Sequence, residues 1–265
     1  LCSNPEFSKA RRGNMIKTVE APNGGYRFIP GVSQYSAGVG ALPGYALERV
    51  RFTRPVPLRQ GFERIAQVLK DAGRPLSAFA ACELRSPAPF TEAGFVAFNE
   101  VYIGTLKAWG LMSDGVNPVA RSNVCPKIDP PSEPGFYAFT YAVPAANAPS
   151  SFVVAGSGEA PEGKGNYRDH AVRLGDTSSV AMLEKAQWVL GEMERRMSAF
   201  GGDWSQVTAT QLYTVHNIYP FIESELGKRG IFKQGLTWHF NRPPVQDLEY
   251  EMDCRRVHVE RVIEA

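Results

Sequence analysis

The sequence predicts an α+β protein built from two tandem units, and three observations carry that expectation. Apolar residues recur at every second position in some stretches and at every third or fourth in others, so strands and helices alternate along the chain. The order strand, helix, strand, shorter helix, strand, strand occurs twice. Between the two runs lies "PAANAPSS", residues 144–151, small and proline-containing, which reads as a short linker. The expected units are therefore residues 15–144 and 151–265, each a mixed β-sheet with two helices packed on one face.

In the first run, "YRFIPGVSQYSAGV" is turn-rich and extended, and "YALERVRFTRPVPL" sets Leu47, Val50, Phe52 and Val56 on a strand that Pro55 and Pro57 are expected to end. Over residues 60–72, Phe62, Ile65, Val68 and Leu69 mark one face of an amphipathic helix, with Gly73 as its stop. "SAFAACELRS" is strand-like. Residues 91–109 carry Phe95, Phe98, Tyr102, Leu106 and Trp109 at helical spacing, and "ARSNVCPKI" and "GFYAFTYAVP" close the unit as strands. In the second run, "SFVVAGSGEA" reads as a buried strand entering a glycine turn. Ala186, Val189, Leu190, Met193 and Met197 form the face of a helix over 177–200, ended by Gly201 and Gly202. "SQVTATQLYTV" is a β-branched strand, 220–229 a second helix, and "LTWHF" with "LEYEMDCRRVHVERV" supplies the closing strands. The first fourteen residues, "LCSNPEFSKARRGN", are polar and patternless before Met15 and read as a leader foreign to the fold.

Composition narrows the partners. The 265 residues are 43% hydrophobic and 21% charged, as expected of a globular protein with a real core. A net charge of +2 with both signs dispersed offers no basic run to neutralise a phosphate backbone, so no nucleic acid is expected. No apolar run approaches the roughly 20 residues of a membrane helix, so a cytoplasmic protein is expected. Cys2, Cys82, Cys125 and Cys254 lie far apart with no C-x-x-C pair, which reads as reduced thiols. His170, His216, His239 and His258 show no i, i+4 pairing, so no metal site is expected.

Three stretches in fixed order, "QGFERIAQVLKDAGRPLSAF", "FNEVY" and "PVARSNV", resemble the reactive intermediate deaminase family (RidA, also called YjgF). There a glutamine-led helix ends in A-x-G, an N-x-V-Y stretch opens the second helix, and a P-A-R-S segment follows. Later, "FVVAGSGEAPEG" looks like that family's strand and glycine turn, and "DLEYEMDCR" is similar to its closing E-x-E strand. The resemblance implies two fused chorismate-mutase-like units, trimeric packing of such units into a homo-oligomer, and sites in the clefts between them. It places Arg121 on the arginine that grips a substrate carboxylate, Asn99 on the asparagine of N-x-V-Y, and Glu249 on the glutamate that orients the attacking water. Each copy departs from the pattern: "GFYAFTY" has no carboxylate at the glutamate's position, and "QGLTWHFN" stands where P-A-R-S would in the second copy.

The imine hydrolysis that the resemblance implies needs a fork for the acid end of the substrate, an acceptor to position water, and a partly dry pocket. The planar guanidinium of Arg121 suits the first task, though an arginine beside a strand can equally be a solvated edge residue. In "LEYEM", Glu249 and Glu251 lie two apart, so on a strand both would share one face and push one carboxyl pKa upward; a solvated strand face paired with Arg255 and Arg256 is the competing view. His216 is a candidate proton carrier and His239 a candidate binder, unless both are structural hydrogen-bonders. Tyr35, in the turn-rich opening, completes the candidate binding set with Arg121, Asn99 and His239, while Glu249, Glu251 and His216 are the candidate catalytic set. Because the resembled family includes deaminases of 2-aminomuconate, the resemblance together with these residues implies a hydrolytic deaminase without cofactor or metal, acting on a small carboxylated enamine or imine of that type. A chorismate-hydrolysing enzyme and a binder without turnover are the alternatives.

Overall fold

The computed structural model describes residues 16–21, 23–164 and 166–265, so the fourteen-residue leader lies outside the described residues. Among the described residues, thirteen strands and three α-helices follow one another: β1 Val19–Ala21, β2 Tyr26–Ile29, β3 Gly38–Ala41, β4 Tyr45–Pro57, α1 Leu58–Asp71, β5 Phe79–Arg85, α2 Glu92–Ala108, β6 Ala120–Pro126, β7 Gly135–Pro144, β8 Phe152–Gly158, α3 Ser179–Ser198, β9 Ala209–Tyr213, β10 Leu236–His239, β11 Asn241–Arg242, β12 Glu251–Arg256 and β13 Val259–Ile263. They form a seven-stranded sheet, β1-β2-β3-β8-β12-β9-β10, and a six-stranded sheet, β11-β6-β5-β7-β4-β13.

Within these sheets, β4-β7-β5-β6 and β8-β12-β9-β10 have the same plan. The first two neighbouring pairs are antiparallel and the last is parallel, in both sheets. A parallel pair needs a crossover, supplied by α2 between β5 and β6. The sheets also exchange edges. β1 to β3 extend the sheet of the second run, whereas β13 and β11 extend the sheet of the first.

Helix α1 buries Phe62, Ile65 and Leu69, and α2 buries Phe95, Phe98, Tyr102 and Leu106, against Phe79, Leu84, Phe136 and Phe139 of the six-stranded sheet. A Cβ at Gly61 would stand 2.3 Å from the Phe136 ring, so only glycine lets α1 lie this close to β7. Thr91 caps α2 by accepting from the Gly94 N–H. On the other sheet, Met182, Ala186, Val189, Leu190, Met193 and Met197 of α3 cover Phe152, Val154, Leu212, Met252 and Cys254. The inner faces meet through Tyr26, Phe28, Val39 and Leu47 with Ala80, Ala81, Ala120, Ala142 and Ala155, whose short side chains allow close approach.

A buried polar seam ties the two sheets. Asp253 accepts from Ser122 Oγ at 2.6 Å, Gln211 Nε2 at 2.9 Å and Tyr213 OH at 2.8 Å, and Gln211 Nε2 also reaches Glu83 at 3.1 Å. Arg49 grips Glu83 through Nε at 2.6 Å and Nη2 at 2.9 Å. Every member of the seam's core thus has a partner from the opposite sheet or a neighbouring strand.

Two expectations about local structure change. β4 ends at Pro57, the second of the two prolines expected to stop it, but passes Pro55, because the pairing with β7 shifts between Arg51 and Val56 and such an irregularity tolerates proline. The helix expected over 220–229 is a single wide π turn, Ile222–Gly227. Its buried anchors, Phe221 and Leu226, are five apart, the period of that turn, and Gly227 and Gly230 give no reason to extend it.

Candidate functional site

The β6 strand projects Arg121 toward α2 rather than toward the opposite sheet. The guanidinium carbon lies 4.8 Å from the Tyr102 ring centre, 5.0 Å from Tyr35, and 5.6 Å from both Phe95 and Phe98. Phe95, Phe98 and Tyr102 share one face of α2 by their three- and four-residue spacing, so a single helix builds most of this cage. Arg121 is 3% exposed, yet Nη1 and Nη2 have no hydrogen-bond partner among the described residues. Cation–π contact recovers part of the cost of burying the charge and leaves the in-plane N–H groups unused. An arginine in that state is built to receive an anion.

The guanidinium lines a narrow cleft between the two sheets. Glu251 lies on the same wall set, as do Asn123 of β6, Gly156 and Gly158 of β8, and Leu248. Burial lifts the Glu251 carboxyl well above the usual range; the nearby carboxylates of Asp253, Glu159 and Glu162 push the same way, and Arg85 opposes them. A Cβ on Gly156 would sit 2.2 Å from Glu251 Oε1 and 3.1 Å from the Ser122 Cα, so a side chain there would displace the carboxylate. Anion-binding group and raised carboxyl therefore face one space, contributed by different sheets.

Two buried basic side chains hold the walls. Lys185 of α3 and Glu159, both sealed from solvent, meet at 3.1 Å, and Lys185 Nζ donates to the Val172 carbonyl at 2.6 Å. Glu159 Oε1 and Oε2 accept the Glu249 and Tyr250 N–H groups at 2.7 and 3.1 Å, fixing the backbone that leads into Glu251. Arg196, 1% exposed, pairs with Glu162 at 3.1 Å and Glu192 at 2.9 Å, so the cleft's Glu162 already has its counter-ion. Tyr35 and Tyr167 both line the cleft.

The structure brings together Arg121, Tyr35 and Glu251 from the residues singled out in the sequence. Asn99 lies on the same α2 face as Phe95 and Tyr102, 2% exposed, with both amide atoms unpartnered. Glu249 sits elsewhere. β12 begins only at Glu251, so the two glutamates do not share a strand face; Glu249 instead takes His216 Nε2 at 2.7 Å and Arg242 Nη1 at 2.5 Å outside the cleft lining. Nor do Arg255 and Arg256 pair with either glutamate: Arg255 pairs with Glu260, and Arg256 donates to Ser150 Oγ. His239 stacks on Tyr213 with centres 5.1 Å apart and meets Gln211 Oε1 at 3.1 Å. Burial, aided by Arg85, pulls its pKa down to about 4, so it is neutral near pH 7. Burial pushes the Cys125 thiol up to about 12, which fits a small packed side chain and not a nucleophile.

Sequence reasoning missed Asn123, Glu162, Tyr167 and Leu248. Asn123 had a signal, since it shares a strand face with Arg121 two residues away; Tyr167 and Leu248 come from irregular segments without a period to read.

Residues 18–261 match the model of the family described as 2-aminomuconate deaminase CnbZ. The chain is also 50% identical over 242 residues to a 2-amino-5-chloromuconate deaminase of Comamonas testosteroni, covering 91% of this chain and 96% of that protein. With a match over nearly its whole length, the chain belongs to the 2-aminomuconate deaminase CnbZ family.

Proposed function

We propose that the protein is a hydrolytic deaminase of a 2-aminomuconate-type enamine dicarboxylate and works without a cofactor. The observation that carries this is the partnerless guanidinium of Arg121 facing, across one cleft, the raised carboxyl of Glu251. Arg121 takes the carboxylate next to the amino-bearing carbon in a two-pronged hydrogen bond. Glu251, protonated in its dry setting, gives its proton to the enamine carbon and leaves an electrophilic iminium. As carboxylate it then takes a proton from water as the oxygen adds to that carbon. The resulting carbinolamine expels ammonia, which carries the proton away, and an enol or ketone dicarboxylate remains. Water is consumed and ammonia released, so atoms balance without any redox partner.

The matching strand plans of β4-β7-β5-β6 and β8-β12-β9-β10 support two chorismate-mutase-like units of the RidA/YjgF kind, fused in tandem. On this reading the cleft is the space between units that the resemblance implies, with its arginine from one copy and its acid from the other. The proposal includes a homo-oligomer, with a trimer favoured, in the cytoplasm; sedimentation of the purified protein reads the assembly. The test of the activity is ammonia release from 2-aminomuconate generated enzymatically. Wild-type protein should release one ammonia per substrate, and full activity in Arg121→Ala would remove the arginine from the reaction.

A further inference from the structure

Among the described residues, one more buried donor faces the cleft without a partner. Asn123 is 3% exposed and lines the cleft two residues beyond Arg121 on the same strand face. Ser86 Oγ donates to its amide oxygen at 2.9 Å, which fixes the carboxamide orientation, and its amide nitrogen has nothing to donate to. Such a group costs stability unless something fills it. The remaining unpartnered donor on the neighbouring strand, Arg85 Nη2, does not line the cleft; its guanidinium lies over the rings of Tyr137 at 4.1 Å and Tyr213 at 5.4 Å, at the inter-sheet seam.

We infer that Asn123 is a second substrate anchor, donating its free N–H to the far carboxylate of a six-carbon diacid whose near carboxylate is held by Arg121. This rests on the proposed function and deepens it, because it makes the site selective for dicarboxylates. Two positions on one strand are about 6.6 Å apart, of the same order as the span of an extended six-carbon diacid between its carboxyl groups. Phe95, Pro244, Val245 and Leu248 supply apolar surface in the same cleft for the unsaturated chain between them. A neutral amide also suits a second anchor beside Arg121, since it adds no charge to be buried when the cleft is empty.

Two unreactive probes separate the anchors. trans,trans-Muconate and sorbate share one diene skeleton, but sorbate has a methyl group in place of the far carboxylate. Calorimetry on the full chain should show muconate binding at least about tenfold tighter than sorbate, the effect of one hydrogen bond to a charged group. In Asn123→Ala that preference should fall to near unity with sorbate affinity retained. Asn123→Asp keeps the side-chain shape and the Ser86 contact, and should invert the preference by placing like charges together. A muconate preference that survives in both variants, or one that is lost in Arg85→Met instead, overturns the inference while leaving the deaminase reading intact. Wild-type protein that binds neither probe overturns the inference and the deaminase reading's carboxylate anchor together.

Discussion

Arg49 and Arg121 both lie on strands of the six-stranded sheet and are 4% and 3% exposed, yet their surroundings are opposite. Arg49 spends its donors on protein: Nε and Nη2 on Glu83, and Nη1 on Glu260 at 3.0 Å. Arg121 meets four aromatic rings and, among the described residues, no carboxylate. Burial alone therefore does not distinguish a structural arginine from a binding one; the number of in-plane donors left unused does. The same contrast holds for acids. Glu83 is held ionised by Arg49 despite its burial, whereas Glu251 sits among other carboxylates and is pushed toward its neutral form. Arg49, Glu83 and Asp253 are satisfied without a ligand and Arg121 is not.

The largest effect separates the two acids. Replacing a proton-transferring group should cost about 10²–10⁴ in rate, so Glu251→Gln should lower kcat for ammonia release by that range with KM little changed. Glu249→Gln, which alters a His216 and Arg242 cluster outside the cleft lining, should leave kcat within about threefold, far below the general-acid range. Equal losses in both variants would mean that the cleft lining does not define the reacting acid.

The arginines should differ in which property they lose. Arg121→Ala gives up two charge-assisted hydrogen bonds to substrate, each worth roughly 1.5–3 kcal/mol, and kcat/KM should fall by about 10²-fold or more through KM. Its melting temperature should hold, because no protein partner is left unpaired. Arg49→Ala strands Glu83 inside the seam and should cost about 3–5 kcal/mol of unfolding free energy by denaturant titration, with kcat of the folded fraction retained. A destabilised Arg121→Ala, or an inactive but stable Arg49→Ala, would merge the two classes.

Much of this contrast was legible before folding was considered, and the reasons for the remainder are physical. Periodicity located α1, α2 and α3 within a few residues, since each has an apolar stripe that must face a sheet. It could not show that β1 to β3 and β13 would be exchanged between sheets, because edge pairing depends on chain path and not on local pattern. Arg121 was visible from its motif, but its cage was not: Phe95, Phe98 and Tyr102 read simply as a core stripe, as they would if the arginine were absent. The Glu249 and Glu251 pair was misjudged geometrically because the Glu159 carboxylate takes the Glu249 and Tyr250 N–H groups, delaying the strand until Glu251. A contact between residues 90 positions apart leaves no local trace.

The smallest predicted effect uses pH to compare the same two acids through stability. Glu83 has its carboxyl depressed in the folded protein, mainly by Arg49 working against burial. Its stabilising contribution is present above the unfolded carboxyl value of about 4.3 and is lost as pH falls through the lower folded value. Glu251 is raised, so its contribution has the opposite sign: present below about 4.3 and lost as pH rises through the higher folded value. Glu251→Gln removes that loss. Its melting temperature should match wild type in acid and exceed it increasingly as pH rises, since the neutral amide never has to ionise in the dry cleft. A difference that stays constant with pH would show that Glu251 titrates as an ordinary solvated acid, and the proton donor proposed for the enamine carbon would have to be sought in another group of the cleft.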